Sequence, residues 1–123
     1  MTFWSSLAAA ALGVAVMLGA FGAHGLRDRL DAYAMGVYEK AVFYHFVHAL
    51  GLLAVSMMPK LGALTEDAAG KVCVLLLTGI VVFSGSLYVL AVTGVRTLGM
   101  ITPIGGVAFI AGWLWLAWKL ARG

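Results

Sequence analysis

His45 and His48 lie three residues apart and Tyr44 precedes His48 by four, so a helix through them sets an imidazole pair on one face and a phenol on its flank. Histidine changes charge near neutral pH, and neutral imidazole ligates zinc, copper or iron. The cluster could therefore pass a proton, hold an ion or ligate a metal. His24 is the third histidine, and the turn that follows it could bring it to the same level. Ser84, Ser86 and Tyr88, in the run FSGSLY, together with Glu39, could extend a proton relay. The same hydroxyls could equally serve as hydrogen-bond partners that let the histidines fix helix packing, or bond back to carbonyls of their own helix.

Other chemistries lack their residues. The i, i+3 histidine spacing is permissive, and neither an HExxH pattern nor a cysteine cluster accompanies it. No cofactor is expected, and the alternative is haem or a metal on His24, His45 and His48. Cys73 is the single cysteine, which excludes an intramolecular disulfide and suits a small apolar packing residue. A nucleophile elbow is missing, as is a carboxylate at depth to orient a histidine, so serine-hydrolase chemistry is not expected and no catalytic residue is assigned. The stretch TPIGG has neither the lysine nor the preceding strand of a phosphate loop.

The elements that must position these side chains follow from hydropathy. Of the 123 residues, 63% are hydrophobic and 11% charged, against about a quarter charged in a typical soluble domain. Mean hydropathy is +1.04. The apolar residues fall into four blocks, at about 3–25, 41–58, 72–94 and 98–118, each near the ~20 residues that cross a ~30 Å hydrocarbon core. The fold expected is an all-α integral membrane four-helix bundle, one transmembrane domain over 1–123, with no room for a catalytic domain outside the bilayer. The first block is too long, and lacks the leading basic residues, for a cleaved signal.

Between the first two blocks, LRDRLDAYAMGVYEK spaces Leu26, Leu30, Tyr33 and Val37 at helical intervals amid charges. That pattern predicts a short amphipathic helix at the membrane surface, with an ordinary solvated connector as the alternative. Pro59 ends the second span, and Thr65 with Glu66 and Asp67 starts the third. Thr102 before Pro103 predicts an N-cap and first helical position, which leaves residues 94–101 as an apolar loop at the interface; alternatively the helix begins near Leu98 with Pro103 in its first turn. The first span, crowded with alanine and glycine, is expected to be the buried one. Gly19, Gly22, Gly85, Gly105 and Gly106 are the expected sites of close helix packing.

The net charge of +3 comes from basic residues scattered beside the spans, which fits lipid headgroups and excludes nucleic acid as a partner. Lys and Arg divide four against four between the two faces, so charge does not orient the bundle; the unopposed Lys119 and Arg122 favour cytoplasmic termini. Trp113, Trp115 and Trp118 with Phe3 and Trp4 would form an aromatic belt at one interface.

The segments GAFGAHGL at 19–26, AVFYHFVHALGLL at 41–53, FSGSLYVLAVTG at 83–94 and TPIGGVAFIAGW at 102–113 resemble, in the same order, the small YgdD-like and YwdK-like membrane proteins of unknown function. The resemblance covers the whole chain. It implies a multi-pass, four-helix protein of the bacterial inner membrane and brings no substrate, reaction or cofactor. Two roles then stand: a polar His/Tyr/Ser interior that binds or passes a proton, ion or small ligand, or a structural or assembly factor. The partners expected are the lipid bilayer and either a second copy or another membrane protein.

Overall fold

The computed structural model describes residues 2–122, and among them every regular element is helical. Helix α1 spans Thr2–Phe21 and runs into a π-helical turn, Gly22–Leu26. Helix α2 is Ala32–Met57, and α3 is Glu66–Gly79. A second π turn, Ile80–Ser84, joins α3 to α4, Gly85–Thr93, in one continuous rod. A 3-10 turn at Arg96–Met100 then leads into α5, Thr102–Arg122. Four rods result, of 24, 26, 28 and 27 residues, each long and apolar enough to cross a membrane.

The surface helix expected over Leu26–Lys40 does not form as a separate element. Asp31 caps a new helix, its carboxylate accepting from the Ala34 amide at 2.8 Å, and α2 continues through Lys40 without a break. Of the stripe expected there, Leu26, Leu30 and Val37 pack with Tyr38, Leu18 and Ala91, while Tyr33 stays exposed. Amphipathicity there marks the packing face of a lengthened second span. At 1.5 Å per residue α2 is about 39 Å long, so it exceeds a ~30 Å core by about 9 Å, enough for its first turns to reach the headgroup zone.

The start of the fourth span also differs from expectation. Thr102 lies inside α5, and its hydroxyl meets Ser86 Oγ at 2.6 Å in place of capping a backbone amide. Residues 96–100 wind into the 3-10 turn where a loop was expected. Pro103 fits the first turn because its missing N–H would have no helical partner there. Thr65 does cap α3, with Oγ1 accepting from the Ala68 amide at 3.1 Å, and Gly94 ends α4 in the left-handed region at φ 74°.

The first span is the least buried of the four, with 17% of its apolar window buried against 44% in the third. Its small residues permit close approach on one side only. Ala8, Ala15 and Gly22, seven residues apart, are buried in a line, while Ala9, Ala10, Gly13 and Ala20 face outward. The buried line meets α2, and three polar ties set the antiparallel register: Ser5 Oγ with Ser56 Oγ at 2.9 Å, His45 Nε2 with the Ala11 carbonyl at 2.9 Å, and the Tyr38 hydroxyl with the Leu18 carbonyl at 2.5 Å. Trp4 and Trp113 pack on one apolar core with Leu52, Val55, Val72 and Leu76, which places the start of the first rod and the later half of the fourth at the same end of the bundle.

Candidate functional site: the histidine face of the second span

Helix α2 presents both histidines inward, with His45 5% and His48 6% exposed. Their surroundings differ. His45 has a partner on each ring nitrogen, Nε2 at 2.9 Å from the Ala11 carbonyl and Nδ1 at 2.8 Å from the Tyr88 hydroxyl. A carbonyl only accepts, so Nε2 carries the proton of the neutral ring; Nδ1 then holds the lone pair and accepts from Tyr88. One imidazole thus bridges α1, α2 and α4, and both of its nitrogens are used.

His48 has the opposite tautomer. Its Nδ1–H donates to the Tyr44 carbonyl one turn earlier, at 2.8 Å, which leaves the lone pair on Nε2. Among the described residues Nε2 has no hydrogen-bond partner. The ring stacks on Phe109 with centroids 3.5 Å apart, lies parallel to Tyr44 at 5.9 Å and has Trp113 at 5.8 Å. Phe83 closes on Tyr44 at 4.5 Å, completing an aromatic box drawn from α2, the second π turn and α5. From the start of α2, His48 is about 24 Å along the helix, deep in the hydrocarbon by the 1.5 Å rise.

The remaining candidates divide. Tyr88 joins His45, but Ser84 and Ser86 do not. Ser84, fully buried, donates to the Ala41 carbonyl at 2.8 Å, and Ser86 bonds Thr102 and the Phe83 carbonyl. These hydroxyls lock the third rod to the second and fourth. His24 lies exposed in the first π turn, away from the other two histidines. Among the described residues no group of three or more His, Cys, Asp or Glu side chains comes together, so His24, His45 and His48 do not form a shared ligand set. His48 Nε2 alone is disposed as a ligand, with its other nitrogen held by a carbonyl in the manner of metal-bound histidines.

The glycines separate in the same way. A Cβ on Gly105 would run into the backbone of Phe83, with Cα at 2.8 Å, and one on Gly22 into the Tyr38 ring. Gly19 and Gly106 make ordinary contacts, and nothing lies within 4 Å of a Cβ at Gly85. Gly51 and Gly79, which small-residue reasoning did not single out, seat the rings of Trp113 and Phe109. Phe109 was missed because it is apolar, and Trp113, expected in the interfacial belt, packs instead beside His48 and on the apolar core. Their i, i+4 spacing on the last span was the available signal.

Comparison with known proteins places this arrangement in context. Residues 18–106 match the family described as "Protein of unknown function (DUF423)". A UPF0382 membrane protein of Staphylococcus saprophyticus is 52% identical over 103 residues, covering 84% of this chain and 83% of the relative. The UPF0382 membrane protein YwdK of Bacillus subtilis is 48% identical over 103 residues, covering 82% and 81%. No solved structure matches the chain.

Proposed function

Because the chain belongs to the DUF423 family, whose relatives are described as membrane proteins of unknown function, we propose from its own side chains that this small helical bundle takes up a proton, an ion or a small proton-donating ligand at His48. The observation that carries this reading is a nine-tenths buried imidazole with Nδ1 fixed by a backbone carbonyl and Nε2 without a partner. Polar groups within a bilayer are costly and usually paired, and His45 meets that rule at both nitrogens. His48 meets it at one. A free imidazole nitrogen on a ring stacked among aromatic side chains suits a proton or a cationic or hydrogen-donating guest, since ring faces attract positive charge. His45, Tyr88, Ser84 and Ser86 hold the frame in this reading, and the site belongs to a multi-pass protein of the bacterial inner membrane.

The test is direct. Nitrogen-15 spectra of His48 in lipid nanodiscs across about pH 5 to 8, the range in which histidine titrates, should show Nε2 gaining a proton, and proton flux into liposomes should fall on His48→Gln. An Nε2 signal that never moves, with flux unchanged in the variant, refutes the assignment.

A second reading, a structural or assembly factor, draws on the outward face of α1, where Ala10, Gly13 and Ala20 lie exposed at helical spacing. Small residues let another helix approach closely. Crosslinking in intact membranes separates the two, since assembly requires a reproducible neighbour at α1.

A further inference from the structure

On the other side of Phe83 from the α1–α2 seam, a groove of about 420 Å³ runs between α2, α4 and the start of α5. Its walls are Val37, Phe83, Leu87 and Leu90, and its mouth holds Lys40 and Tyr33. We propose that this groove is a binding site for an anionic phospholipid, with one acyl chain against Leu87 and Leu90 and the phosphate at Lys40.

Charge supports that occupant. No acidic residue lines the groove, and Lys40 makes no ion pair among the described residues. The neighbouring Glu39 turns into a different crevice, shared with Arg27 on the α1 side of α2. A second cation stands at the mouth, where the Arg96 guanidinium lies 4.9 Å from the centre of the Tyr33 ring. Lys40 on the groove and Arg96 beside Tyr33, neither ion-paired among the described residues, border an apolar slot and match a molecule with a negative head and a hydrocarbon tail.

Of the residues lining the groove, Leu87 and Leu90 are only 7% and 6% exposed, while Tyr33 is 55% exposed. The inner end of the slot is the Phe83 ring, which packs on Tyr44 and so adjoins the aromatic box. The inference does not depend on proton uptake at His48.

The intact protein in nanodiscs, with photoactivatable acyl chains on phosphatidylglycerol or on phosphatidylcholine, provides the test. Phosphatidylglycerol should label the Phe83–Leu90 segment in preference to phosphatidylcholine. Lys40→Gln, a change at an exposed position, should weaken phosphatidylglycerol labelling about fivefold, the weight of one cation at an anionic membrane surface. Leu87→Trp, which fills the slot, should suppress labelling by both lipids. Equal labelling by the two lipids in the native protein, an unchanged preference after Lys40→Gln, or crosslinks from this segment to a second copy of the chain would each overturn the proposal.

Discussion

Replacing Tyr88 with phenylalanine removes one oxygen and nothing else of the side chain's shape. The lost bond is the 2.8 Å contact to His45 Nδ1. Hydrogen bonds between membrane helices contribute on average about 0.6 kcal/mol, with a ceiling near 1.7. Tyr88 should fall in the upper part of that range, because His45 is only 5% exposed and its orphaned lone pair would find no water. The expected cost is therefore about 1 to 1.5 kcal/mol, roughly a tenfold change in the unfolding equilibrium. His45→Leu cuts the tie to Ala11 as well and should cost about 2 to 3 kcal/mol. The pair is best measured as a double-mutant cycle, by equilibrium unfolding in mixed micelles of increasing dodecyl sulfate content. A coupling near 1 kcal/mol is expected. Additivity within about 0.3 kcal/mol, the behaviour of independent sites, would mean that the two side chains do not interact and that His45 does not join the third rod to the first two.

Other consequences can be checked on the same preparation. Solid-state nitrogen spectra at neutral pH should find opposite tautomers, with the proton on Nε2 of His45 and on Nδ1 of His48, because each of those atoms faces a carbonyl; a shared tautomer contradicts the site's geometry. Gly105→Ala should destabilise by about 1 to 3 kcal/mol, the usual penalty of overpacking, since the new methyl meets the Phe83 backbone, which cannot swing aside. Gly85→Ala, with open space around it, should be neutral or stabilise by up to ~1 kcal/mol through helix propensity, and unfolding midpoints decide both. Cys73, with no exposed surface, should resist maleimide labelling until the bundle unfolds.

The four rods were legible because hydrocarbon thickness imposes a length on apolar runs that few other constraints share. The boundary of the second rod was hidden by its own charges. Glu39 and Lys40 interrupt the apolar run and so looked like the end of a connector, although Asp31, an acceptor placed one residue before Ala32, was already a start signal. Partners of the polar groups were less accessible to reading. His45 and Tyr38 bond to the carbonyls of Ala11 and Leu18, and a carbonyl has no residue type, so nothing in the first span marks those positions beyond the smallness that lets α2 come close. Glycine shows the same limit. Gly85 and Gly105 are chemically identical, and only the helix opposite decides that one is in open space and the other against a backbone.

That use of carbonyls explains how the least buried span stays in place. Lipid tails are as apolar as the helix itself, so burial alone gives α1 little reason to choose α2. Three ties along the seam, at Ser5, Ala11 and Leu18, supply both the attachment and the register. Two of the three ask nothing of the side chains of α1, and residues on its outward face are free of any duty to the bundle. His45 is then committed to architecture: protonating Nδ1 would take the lone pair that Tyr88 requires and strain the join between α1 and α4. His48 is under no such commitment at Nε2. Uptake of a proton or ligand there, as proposed, would leave these ties between helices intact, since none of the bonds joining α1, α2, α4 and α5 uses that nitrogen.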